Sequence, residues 1–154
     1  CGYHNPFVYS GPEKSIYIAL WKNRKSELNI DSKIYRTLNK WYQKSASISV
    51  SREKNDADLI LGGEIVSLEL PSLSYGIANT TTEVKVKLRV RYIIKDIATN
   101  KIILEVPDEL WTEDYLVGAN ATQTSDNEEE ALESILEDLS QKIYRKTVSG
   151  IQRL

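Results

Sequence analysis

Apolar and polar positions alternate with two different periods along the chain, and the switches between them mark its elements. In Lys14–Trp21, Ile16, Ile18 and Leu20 alternate with Tyr17, Ala19 and Trp21, a period of two that predicts a strand apolar on both faces. Ile34, Leu38, Trp41 and Tyr42 recur instead at i, i+4, i+7 and i+8, one face of a helix expected over about 30–45 with Asp31 or Asn29 as N-cap. Ile48 and Val50 between serines predict a short second strand, and Asp56–Asp58 a polar turn. Leu59–Leu70 returns to β character up to Pro71, with Gly62-Gly63 inside it as a bulge or a close backbone approach.

The clearest pattern is Thr81–Asp96. Val84, Val86, Leu88, Val90, Tyr92 and Ile94 alternate with Lys85, Lys87, Arg89, Arg91, Ile93 and Lys95, a long strand with one face for a core and one for water. Ala98-Thr99-Asn100 turns it into Lys101–Trp111, predicting an antiparallel hairpin. Thr112–Thr124 reads as a polar loop. Ser125-Asp126-Asn127-Glu128 then spells a capping box before an apolar stripe of Ala131, Leu132, Ile135, Leu139 and Ile143. Glu128–Glu130 in the first turn, Lys142, Arg145 and Lys146 in the last, and Gly150 as a stop frame a helix over about 126–148. The order β-α-β-β-β-β-α, with one apolar stripe per helix, predicts an α+β two-layer sandwich. Two helices pack on one face of a four- to five-stranded sheet. Short later connections make the sheet mostly antiparallel, with the first helix available as a crossover.

Composition sharpens this in a few places. The chain has 154 residues, which suits one domain (14–154) behind a Pro- and Gly-containing tether (1–13). Its 41% hydrophobic and 27% charged residues are those of a folded globular protein. A net charge of -2 gives no global electrostatic case for nucleic acid. No apolar run approaches the roughly 20 residues of a membrane-spanning helix. There is no methionine and the only cysteine is Cys1. An internal disulfide is therefore excluded, and the Cys-Gly opening predicts either a signal segment cleaved just before a lipid-modified Cys1 or, less in keeping with it, a free thiol at an arbitrary boundary.

Catalytic chemistry is sparse. The single histidine, His4, lies in the tether, away from any packed base or nucleophile. The carboxylate groupings read as turn and helix-end features, and no Gly-rich phosphate loop is present. The sequence therefore predicts neither an enzyme nor a cofactor or metal site. Asn79-Thr80-Thr81 and Asn120-Ala121-Thr122 match a short glycosylation pattern that carries no weight here. Two candidates for contact remain. Lys85, Lys87, Arg89 and Arg91 project from one sheet face over about 20 Å, a spacing suited to phosphates or an acidic partner, or else an ordinary solvated face. Leu73, Tyr75 and Ile77 stand in an otherwise polar tip, available to a lipid or protein groove or folded back on the core.

Several short stretches carry a resemblance. Cys1-Gly2-Tyr3-His4, the Ile16–Trp21 strand, Asp58-Leu59-Ile60-Leu61-Gly62, the Thr82-Glu83 strand entry and Asp126-Asn127-Glu128 together resemble the lipopolysaccharide-assembly lipoprotein family, LptE, over essentially the whole chain. The resemblance implies two helices on a four-stranded sheet. It also implies a lipid-anchored protein on the periplasmic side of the outer membrane, plugging an LptD-like β-barrel and helping deliver lipopolysaccharide to the cell surface. Family members place basic residues in the loop before the Glu83 strand and just ahead of the last helix. The nearest positions here are Ile77 and Ser125, both uncharged, so any phosphate contact is expected to fall to Lys85, Lys87, Arg89 or Arg91. A second reading is a small outer-membrane lipoprotein that regulates a cell-wall synthase. Its tether would have to cross the periplasm, and Cys1–Glu13 reaches at most roughly 45 Å. A lipid carrier would need an apolar cavity that the two helices leave no room for.

Overall fold

The computed structural model describes residues 12–23, 29–70 and 83–152. Its elements are β1 (Lys14–Ile18), β2 (Lys22–Asn23), α1 (Ile30–Tyr42), β3 (Ile48–Ser51), a 3-10 turn (Lys54–Asp56), β4 (Leu59–Glu69), β5 (Glu83–Asp96), β6 (Ile102–Leu116) and α2 (Ala121–Ile151). They build one six-stranded sheet in the order β3-β1-β4-β5-β6, with β2 continuing beside β4 past the end of β1. Strands β4, β5 and β6 form two long antiparallel ladders, whereas β1 runs parallel to both β3 and β4. Helix α1 is the crossover between parallel β1 and β3. The α+β sandwich with a mostly antiparallel sheet is the expected architecture, with β2 as a small addition.

The core lies between the sheet and the two helices. Alternation places Val86, Leu88, Val90 and Ile94 of β5 inside, against Ile34, Leu38 and Tyr42 of α1 and Leu132, Ile135, Leu139 and Ile143 of α2, all buried. A local lock starts the sheet: Asp58 accepts from the Ser15 amide (2.9 Å), and the Asp58 amide donates to the Ser15 carbonyl (3.0 Å). The hairpin turns where expected, with Asn100 in the left-handed region (φ 57) and Asp96 accepting from the Thr99 amide. Asn29 stands at the N-cap of α1 with φ 50 but makes no side-chain cap bond, and α1 ends at Tyr42.

Four expectations are corrected. Strand β1 stops at Ile18, so Leu20 is exposed and Trp21 takes the buried place. Residues 112–116 are not loop, because β6 continues to Leu116 opposite Glu83. Helix α2 begins at Ala121, capped by Asn120, whose Oδ1 accepts from the Gln123 amide (2.8 Å). Ser125 and Glu128–Glu130 therefore lie inside the helix, not at its dipole end, and Lys142, Arg145 and Lys146 fall before its last turn. Finally, α2 runs through Gly150, where a Cβ would collide with Ile103 Cγ2; this glycine permits a close helix–strand approach and stops nothing.

The cap assignment has a direct test. Asn120→Ala should cost about 1 kcal/mol, whereas Ser125→Ala, at an exposed position, should stay within about 0.5 kcal/mol of the parent in a urea titration.

Candidate functional site

With both helices on one side, no described element covers the other side of the sheet. Alternation in β5 sends Lys85, Lys87, Arg89 and Arg91 to this outer face, as expected. The pairing register then brings carboxylates beside them. Lys85 lies 3.7 Å from Asp114, and Arg89 Nη1 donates to both oxygens of Asp108 at 2.8 Å. Arg91 Nε donates to Glu64 at 2.6 Å, and its Nη2 also contacts the same oxygen. Lys87, exposed and registered between Glu69 and Thr112, forms no ion pair among the described residues. Each exposed pair contributes little to stability, on the order of 0.2–1 kcal/mol. Together they convert a cationic stripe into a ladder of alternating charge with Lys87 as its open rung.

A second polar constellation escaped sequence reasoning. On the inward side of β6, Glu109 Oε1 accepts from Tyr92 Oη (3.1 Å) and Trp111 Nε1 (2.5 Å), while Lys142 of α2 donates to its Oε2 (2.6 Å). Tyr115 Oη donates to the buried Glu128 of α2. These bonds fasten α2 to β6 and leave the carboxylates engaged in structure. Burial, with the nearby Glu109 charge adding to it, pushes the Tyr92 hydroxyl well above its ordinary pKa. The signal was in the sequence: Glu109 and Glu113 share the inward parity of Trp111, and a strand read through to Leu116 would have placed them under α2.

Where β1 gives way to β2, the outer face carries a hollow of about 460 Å³ whose floor is Gly62. Among the described residues no cluster of His, Cys, Asp and Glu could hold a metal, and no helix is long and apolar enough to cross a membrane. Cys1, His4, Leu73, Tyr75 and Ile77 lie outside the described residues.

A family model for lipopolysaccharide-assembly proteins, LptE, matches residues 13–147. Comparison with curated proteins gives no match. Among solved structures, the chain is similar to an uncharacterized lipoprotein B from Nitrosomonas europaea, with 18% identity, a TM-score of 0.62 and coverage of 99% of this chain and 94% of that one. It is also similar to the rare lipoprotein B from Shewanella oneidensis, with 14% identity, a TM-score of 0.62 and coverage of 90% and 97%. A minor lipoprotein from Acinetobacter baumannii gives 19%, 0.57, 90% and 92%. At these identities the structural likeness is one of fold.

Proposed function

Because the chain belongs to the LptE family of lipopolysaccharide-assembly lipoproteins, we propose that it is anchored through Cys1 at the periplasmic face of the outer membrane. There it plugs an LptD-like β-barrel and assists delivery of lipopolysaccharide to the cell surface. The observation that carries this reading is the extent of the family match. Residues 13–147 span the whole sheet, all of α1 and most of α2, so what is shared is the folded unit and not an isolated motif. The protein works by binding, not by catalysis: the carboxylates of its two polar constellations are spent on Arg89, Arg91, Lys142 and the ring donors. A sheet face whose charges largely close on one another suits a site packed against polar protein surface, where an uncompensated charge would be costly to desolvate.

The test is co-purification of the membrane-extracted protein in mild detergent, with partners identified by mass spectrometry. A stoichiometric outer-membrane β-barrel supports the reading; a cell-wall synthase, or no partner, overturns it. Leu73, Tyr75 and Ile77 are the apolar contacts proposed for the barrel or its lipid.

Any direct contact with lipopolysaccharide phosphates is proposed to use the β5 row, with Lys87 leading. Reversing all four charges would also set new glutamates beside Asp114, Asp108 and Glu64, so loss of binding could reflect strain. Lys87→Gln avoids that confusion, whereas a glutamate there would face Glu69 across the β4–β5 ladder. Lys87→Gln should weaken lipopolysaccharide binding about fivefold, roughly 1 kcal/mol for one charge-assisted contact, with an unchanged melting temperature. Unaltered binding in both Lys87→Gln and the fourfold reversal would remove the row from the site.

A further inference from the structure

Gly62 stands in the middle of a central strand, paired with Ile93 of β5 on one side and following directly on Leu61, which pairs with Ile18 of β1. Glycine weakens such a position, where β-branched residues are preferred. Neither usual excuse applies. Its backbone is not left-handed, and a Cβ built on it would meet only Ile93 Cγ2, at an ordinary 3.9 Å. The next residue makes the contrast: Gly63 faces the core, and there the indole of Trp21 occupies the place of the missing side chain. Gly62 faces outward and nothing in the described chain covers it.

The bare backbone is the floor of the 460 Å³ hollow, within the range of sites that take a small group. Its walls are Leu20, which is 62% exposed, Ile93 and Pro107. Glu64 and Arg91 close on each other at one end. Lys22 and Glu105 stand on the rim, neither in an ion pair among the described residues. One charge of each sign makes the rim neutral. An anionic headgroup would meet Glu105 as well as Lys22, and a cation the reverse.

We infer that this hollow seats an aromatic side chain with a polar edge, tryptophan or tyrosine, carried by a protein partner. The ring lies over Gly62 between Leu20 and Pro107, its N–H or O–H donates to Glu105, and Lys22 lies over the ring face. Charge complementarity selects this occupant: a neutral π-face answers the ammonium and a neutral donor answers the carboxylate. The chain uses each of these contacts on itself. Trp21 lies on Gly63, Lys44 stands 3.6 Å from the Trp41 ring centroid, and Trp111 Nε1 donates to Glu109. The inference holds for any protein partner and does not depend on that partner being a barrel.

The test is a titration of the full ¹⁵N-labelled chain with N-acetyltryptophanamide, set beside N-acetylleucinamide and sub-micellar dodecylphosphocholine. Saturable shifts at the amides of Leu20, Gly62, Ile93 and Glu105 are expected for the indole alone. Gly62→Val should weaken this binding at least tenfold while leaving the melting temperature level or raised by about 2 °C. Glu105→Gln, which touches no core contact, should weaken it severalfold. The inference falls if no shifts appear, if the leucine or phosphocholine compound moves the same amides as strongly, or if Gly62→Val lowers the melting temperature by more than about 5 °C. The last result would make the glycine structural.

Discussion

Gly63→Ala is expected to destabilise the domain by about 3 kcal/mol, a fall of roughly 6–12 °C in melting temperature. A Cβ at this position would sit within 2.6 Å of three indole atoms of Trp21. Relief requires the indole or the strand to move, and neither is free. Trp21 is 2% exposed and stacks on Tyr92 at 5.9 Å between centroids, while β4 is held by β5 on one side and by β1 and β2 on the other. The penalty therefore belongs at the upper end for overpacking. Gly62→Ala is the matched control, one residue away on the same strand, and should shift the other way by about 0.5 kcal/mol. Thermal melts followed by far-ultraviolet dichroism and by Trp fluorescence read both. A Gly63→Ala protein as stable as its parent would show that Trp21 does not pack on β4.

The two adjacent glycines also mark how far local pattern carries. Reading Gly62-Gly63 as a close backbone approach was right for Gly63, but which ring approached could not be read, because Trp21 was counted as a strand residue. Period alone located β5, its inward and outward faces and the hairpin, since a long half-buried strand writes both its faces into alternation. The same logic missed the second half of β6. Thr112 and Asp114 point to water and inward Glu113 is charged, so Thr112-Glu113-Asp114 interrupts the apolar alternation and looks like loop before buried Tyr115 resumes it.

The start of α2 failed for a different reason. Asn120-Ala121-Thr122-Gln123 and Ser125-Asp126-Asn127-Glu128 share one capping grammar. The first prevails because Gln123 reaches back to the Ala119 amide (2.6 Å) and Thr124 accepts from the Gly118 amide (2.8 Å). Glu128, meanwhile, is claimed by Tyr115 from another element. The basic row was legible as residues and illegible as a field, since its neutralising partners arrive from β4 and β6 and exist only once the register is set. Gly150 likewise needs Ile103 to explain it. In each case a tertiary contact overrode a sound local signal.

The junction of the two helices carries the second large effect. Tyr42, fully buried at the end of α1, shares a 2.7 Å hydroxyl–hydroxyl bond with Thr147 of α2 and meets the Tyr144 ring edge-on at 5.7 Å. Tyr42→Ala should cost about 3–5 kcal/mol by opening a cavity between α1 and α2. Tyr42→Phe should cost only about 1 kcal/mol, because Thr147 keeps its bond to the Ile143 carbonyl (2.8 Å). The hydroxyl also sets an alkaline limit. Burial raises the Tyr42 pKa far above the model-compound value of 10.0, so the folded chain keeps this proton at a pH where the unfolded chain has lost it. Below pH 10 both states hold the proton and stability does not depend on it. Above that, the unfolded state binds fewer protons, and stability falls by about 1.4 kcal/mol per pH unit from this residue until the folded state ionises too. Urea titrations from pH 9 to 11 should therefore show a steeper decline in the parent than in Tyr42→Phe. Parallel slopes would mean that the hydroxyl reaches solvent and that the helix junction is looser than its geometry indicates.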